Sequence, residues 1–114
     1  MQKTALPLAE LETPCILLDA DRLQHNIRLI QDLAKAHNLS VRPHIKTHKC
    51  LEIGRLQLDA GAVGITTAKT DEARVFINDG TASVTVAYPL VVDAKLDRLF
   101  QACSSHRTEL RLIV

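Results

Sequence analysis

Aromatic side chains are scarce in this sequence: there is no tryptophan, one tyrosine and two phenylalanines. A core must therefore be assembled from Leu, Ile, Val and Ala. No apolar run approaches the length of a membrane span, and Met1 to Glu10 lacks the apolar centre of a signal peptide. Charge is nearly balanced at +1, which removes the global electrostatic case for nucleic-acid or membrane binding. The three cysteines, Cys15, Cys50 and Cys103, have no C-x-x-C spacing, and an odd count fits reduced thiols better than a disulfide framework. These features together place the chain in the cytoplasm. Gly54, Gly61, Gly64 and Gly80 never approach a G-x-G-x-x-G turn, so a dinucleotide-binding sheet has no support.

What the sequence does contain is a regular alternation. Met1–Thr13 reads as a leader, and the domain proper begins at Pro14. Cys15–Leu18 fits a short buried strand, and Asp19 or Asp21 offers an N-cap. Leu23, Ile27, Ile30, Leu33 and Ala34 recur close to a 3.6 period, predicting a helix over about Asp21–His37 closed at Asn38. Strands are predicted at Ser40–Lys46, Ala62–Thr67, Ser83–Tyr88 and Leu110–Val114. Between them lie helices over Cys50–Ala60, from Thr70 to the Asn78-Asp79-Gly80 stop, and from Asp93 through Leu96, Leu99, Phe100 and Cys103. The second of these should bury Ala73, Phe76 and Ile77, with Asp71 and Glu72 at its positive end.

Strand, helix, strand, helix is the rhythm of parallel α/β proteins. Two architectures fit, a doubly wound open sheet or part of a (β/α)8 TIM barrel. The stretch Val41-Arg42-Pro43-His44-Ile45-Lys46-Thr47-His48-Lys49 discriminates between them. As a strand it would place Arg42, His44, Lys46 and His48 on one face. Such a face either meets solvent at an edge or lines a polar site. Barrels collect functional side chains near the C-terminal ends of their strands, where Lys46 would lie. A complete barrel needs about 250 residues, so 14–114 is expected to be an incomplete barrel domain holding about the first four strands.

Arg42-Pro43-His44-Ile45-Lys46-Thr47-His48-Lys49 also carries a resemblance. With Thr13-Pro14-Cys15, Leu17-Leu18-Asp19, and Gly64-Ile65-Thr66-Thr67-Ala68 before Glu72-Ala73, it resembles the D-threonine aldolase and D-serine dehydratase family. These are fold-type III pyridoxal-phosphate enzymes with an N-terminal domain of the alanine-racemase type. The resemblance implies the N-terminal part of a lyase of D-amino acid metabolism acting on D-3-hydroxy amino acids, continuing elsewhere into a β-rich domain. It implies that Lys46 holds pyridoxal 5'-phosphate as a Schiff base, which needs some neutral amine, and neighbouring cations and burial favour that form. Relatives use a divalent metal whose ligands lie in that later domain, so none is assigned here. Members with this barrel pair as dimers across their active sites.

Around Lys46, His44 and Arg42 are candidates to line the cofactor pocket, with Thr66 and Tyr88 at the ends of the following strands. Each has a plainer reading: Arg42 could pair with Asp19, Thr66 could reflect strand propensity, and Tyr88 could be ordinary packing. His44 and His48 would lie about 13 Å apart along a strand, too far for a shared metal. Lys49 falls on the opposite parity and should meet solvent or the helix layer, and Lys69 should be solvated. Cys50 is read as structural. Two alternatives stand beside the lyase: a truncated, non-catalytic piece, and a small pyridoxal-phosphate carrier.

Overall fold

A computed structural model describes residues 7–113. Four helices and three strands alternate along it: α1 (Ala20–Ala36), α2 (Leu51–Asp59), β1 (Ile65–Thr67), α3 (Thr70–Asn78), β2 (Ser83–Pro89), α4 (Asp93–His106) and β3 (Glu109–Ile113). The strands form one parallel sheet in the order β1-β2-β3. A parallel bridge from His44 to Thr66 adds the Arg42–His44 segment beside β1. Four strand positions are thus laid down in chain order without a reversal. A doubly wound sheet reverses its order at a switch point, whereas successive addition on one side is how a (β/α) barrel grows.

Local chemistry explains the element ends. Asp19 accepts the Arg22 N–H at 3.0 Å and opens α1. At the other end Asn38 takes a left-handed φ of 54°, while Asn38 N–H donates to Lys35 O and Leu39 N–H to Ala34 O. That pair of bonds is a Schellman closure. α3 opens without a capping side chain. Thr70 is its first helical residue and is buried, and the cap position belongs to Lys69, which makes no side-chain bond. Glu72 instead turns back and accepts the N–H of Ala68, the residue before the cap position, at 3.0 Å.

The core lies between one face of the sheet and the helices. Ile65, Val84 and Val86 share that face and meet Ala73, Phe76 and Ile77 of α3 and Leu99 of α4, all buried. Gly54 is where α2 comes closest: a Cβ there would lie 2.5 Å from Phe76 Cε1. Phe100, expected on the apolar stripe of α4, is half exposed, because Leu96, Leu99 and Cys103 already fill the core-facing side.

Two expectations need correction. Cys15–Leu18 is not a strand, and Ile16 is 96% exposed. A strand exists only through its ladder, and no described strand pairs with this segment. The predicted strand Ser40–Lys46 is reduced to a single bridge. Its ladder consists of Val63 N–H to Val41 O and Thr66 N–H to Pro43 O, and it then gives way to a 3-10 turn over Ile45–Thr47. The α1 face of Leu23, Ile27 and Ile30 is not buried. With Val41, Pro43 and Ile53 it lines an open groove of about 460 Å³. Residues 1–6 of the leader and Val114 of the last strand lie outside the described residues.

Candidate active site

Residues paired in register project to the same side of a parallel sheet. The side opposite the core is polar in successive rows. His44, Thr66, Thr85 and Arg111 are aligned in one row, and Ser83 and Glu109 in the row nearer the N-terminal ends of the strands. Lys46 lies just beyond the first of these rows, past the C-terminal end of its segment.

A side-chain capture puts it there. His44 Nδ1 accepts the Lys46 N–H at 3.2 Å, and Lys49 and His48 donate to Ile45 O at 2.8 and 3.1 Å. These bonds close the chain into a turn in place of a further extended segment. Strand alternation therefore stops at His44. Ile45, buried completely, anchors the turn in the core, and Lys46 is exposed above it. Lys46 belongs to none of the described ion pairs.

Of the five residues singled out in the sequence, His44 is bridged to Thr66 and its imidazole accepts the Lys46 N–H. Arg42 is engaged elsewhere. Its guanidinium donates to Ser83 O at 3.4 Å and Val63 O at 3.5 Å, at the N-terminal ends of the strands. Burial and the nearby Arg111 push its pKa down, with Glu109 opposing. Its proposed partner Asp19 pairs with Arg22 instead. Tyr88 stands on the core side of β2, half-buried among the packed residues, and borders a cavity with Lys69, Lys95 and Arg98. It does not join the Lys46 group.

The neighbours of the turn are also accounted for. His48 Nδ1 accepts the Cys50 N–H at 3.1 Å, and burial lowers the imidazole's pKa. Both imidazoles thus use one nitrogen on the backbone. Among the described residues no group of three His, Cys, Asp or Glu side chains could hold a metal ion. Cys50 donates its thiol to Glu52 Oε2 at 3.1 Å, and all three cysteines are unpaired. Lys49 faces the helix layer, its Nζ 3.0 Å from Glu72 Oε1.

Two residues with clear structural roles were not singled out in the sequence. Gly64 leaves the space through which Arg42 reaches Ser83. Glu72 read only as a charge suited to a helix start, and its bonds to Lys49 and Ala68 depend on how the neighbouring loops fold.

The parallel order, the single apolar face and the lysine at a strand terminus define the opening portion of a (β/α) barrel with a polar interior. The chain belongs to the family described as alanine racemase, N-terminal domain, whose model matches residues 18–109. It is 41% identical over 92 residues to 3-hydroxy-D-aspartate aldolase of Paracoccus denitrificans, covering 80% of this chain and 24% of that protein. It is 38% identical over 116 residues to D-threo-3-hydroxyaspartate dehydratase of Delftia sp. (strain HT23), covering 100% of this chain and 29% of that protein. The crystal structure of D-threonine aldolase from Filomicrobium marinum superposes with a TM-score of 0.87 at 36% identity, covering 94% of this chain and 28% of that one. The chain therefore spans about a quarter of the length of the relatives it matches. No helix among the described residues is long and apolar enough to cross a membrane.

Proposed function

We propose that this chain forms the N-terminal part of a pyridoxal-phosphate-dependent lyase acting on D-3-hydroxy amino acids, with Lys46 as the amine that holds the cofactor. The observation that carries the reading is the placement of Lys46. It is exposed on a turn anchored by buried Ile45, beside His44 and Thr66, at the end of a parallel strand position and outside every described ion pair. Lys46 so placed would hold the cofactor through its side-chain amine. When bound, the cofactor supplies an electron sink for the bond cleaved at Cα. The chain's own part is to fix the amine. The His44 imidazole holds the backbone of Lys46, and Thr66 is aligned with His44 across the bridge.

Arg42 and Tyr88 have no share in this proposal, because their contacts lie elsewhere. A divalent metal would be held by residues outside this chain. Relatives named aldolases and a relative named a dehydratase match at comparable identity, so this portion serves both retro-aldol cleavage and dehydration. Three unpaired thiols support a reducing, cytoplasmic setting. A homodimer closing the site across the barrel mouth belongs to the same reading.

The test is to mix the purified chain with pyridoxal phosphate, reduce with borohydride and map the modified peptide. The label should fall on Lys46, and Lys46→Ala should lose both the label and the visible absorbance of the bound cofactor. An unchanged spectrum in Lys46→Ala removes Lys46 from the mechanism.

A further inference from the structure

The turn that carries Lys46 is only three residues long, and such a turn has little stability of its own. It exits through Lys49, whose φ of 48° is a left-handed conformation that non-glycine residues avoid. Something outside the turn must hold it. The Lys49 side chain supplies the link, because its ammonium lies 3.0 Å from Glu72 Oε1. The other oxygen of the same carboxylate accepts the Ala68 N–H at 3.0 Å. One carboxylate thus joins two neighbouring loops, the one bearing Lys46 and the one leaving β1.

A surface ion pair would contribute almost nothing. This one differs, because the Glu72 side chain is only 11% exposed while that of Lys49 is 57% exposed. A buried carboxylate is held in place by its partners, and its position in turn fixes theirs. Burial alone would raise the Glu72 pKa, but the Lys49 ammonium and the amides of Ala68 and Lys69 outweigh it and hold the group below the ordinary carboxylate range. The anchor therefore stays charged at every pH at which a lysine amine could react.

We infer that Glu72, acting through Lys49, is the positioning residue that fixes the reactive amine of Lys46. The inference rests on the reading of Lys46 as the cofactor lysine. Lys49 itself, although it lies in the same basic string, is engaged as a tether and does not serve as a second nucleophile.

The experiment uses the full chain with pyridoxal phosphate as the probe. Two quantities are followed: the rate at which borohydride-trapped label appears on Lys46, and hydrogen exchange at the Lys49 amide, which donates to Ile45 O. Lys49→Met and Glu72→Gln should each slow labelling of Lys46 by about tenfold or more, the scale on which small misplacements act. Both should speed exchange at that amide and spread label to other lysines. Lys49→Arg, which restores the charge, should return the rate to within about twofold of the parent. A parental labelling rate and parental exchange in Lys49→Met would overturn the inference while leaving Lys46 as the cofactor lysine. Indiscriminate labelling in the parent chain would instead overturn the reading beneath it. Lys49 is largely exposed, so if Glu72→Gln fails to fold, Lys49→Met alone decides.

Discussion

The most stringent structural test is Gly64→Ala. Gly64 precedes β1 and is buried where Arg42 passes across it. A Cβ at this position would stand 2.6 Å from Ser83 O and 2.7 Å from Arg42 Cζ. The two contacts differ in kind. The arginine can swing away, giving up bonds that at 3.4 and 3.5 Å are long and worth about 0.5 kcal/mol each at the weak end of the usual range. The Ser83 carbonyl cannot move so freely. Ser83 begins the central strand, is paired with Glu109, and donates its hydroxyl to that carboxylate at 2.5 Å. Overpacking against backbone costs about 1 to 3 kcal/mol, so the sum is about 2 to 4 kcal/mol. At roughly 4 to 8 °C per kcal/mol for a domain slightly smaller than this one, the thermal midpoint should drop by about 10 °C or more. Urea unfolding should show a lower midpoint at unchanged slope. A double-mutant cycle separates the two contacts. Arg42→Ala alone should cost no more than about 1 kcal/mol, and Gly64→Ala in that background should still cost more than this, through the carbonyl. A Gly64→Ala chain within about 0.5 kcal/mol of the parent, the range of ordinary surface substitutions, would refute the packing described for this end of the sheet.

Two further outcomes follow from burial and charge. Ile77→Ala, in the core between α3 and the sheet, should cost about 2 to 5 kcal/mol, whereas Leu33→Lys on α1, where the side chain is 56% exposed, should change urea stability by less than about 0.5 kcal/mol. Burial lowers the pKa of His48 from its ordinary 6.5, so the unfolded chain takes up a proton before the native one does. Its contribution to stability is therefore complete above about pH 6.5 and is lost as pH falls from there through the native value. Protonation would also deprive the Cys50 amide of its acceptor. Urea midpoints measured from pH 7.5 down to 5.5 should decline less steeply in His48→Gln than in the parent, and identical slopes would contradict the buried, neutral imidazole.

The alternation of strands and helices was legible because each segment carries its own period and stop signals. α1 is the clearest case, with the Asp19 cap and the left-handed Asn38 both readable before any packing is known. The buried residues of α3 were legible for the same reason. Cys15–Leu18 misled because four apolar residues in a row satisfy the strand pattern, while strand formation depends on a neighbour the local sequence does not specify. Lys46 was singled out through its motif and its place after an extended segment. Its actual geometry was hidden, since period-two alternation cannot foresee that His44 will capture the Lys46 amide. Arg42 was placed beside Lys46 by the same rule, whereas Tyr88 takes the packing role that its plainer reading offered. Parity says which face a residue takes, but not how far a long side chain travels along it, nor where a strand turns irregular, as β2 does between Val86 and Pro89.

That capture changes the reason for the lysine's position. Had the segment stayed extended to Lys46, the amine would stand on the same face as the Arg42 guanidinium, inside a sheet interior that already holds Arg42, Arg111 and a single nearby carboxylate, Glu109. A further cation there would face repulsion and desolvation together. The turn lifts Lys46 beyond the last paired row instead, and the cationic excess stays at the N-terminal ends of the strands, tied to the carbonyls of Val63 and Ser83. The polar face is thus divided along the strand axis. Its lower rows consume their charges internally in holding the sheet together, and its upper edge leaves one unpaired amine. Barrels of this class carry their active sites at the C-terminal ends of their strands, the edge at which Lys46 stands. In this chain two short-range events produce the division: the missing Cβ at Gly64, which keeps Arg42 low, and the imidazole of His44, which ends the strand before Lys46 can join it.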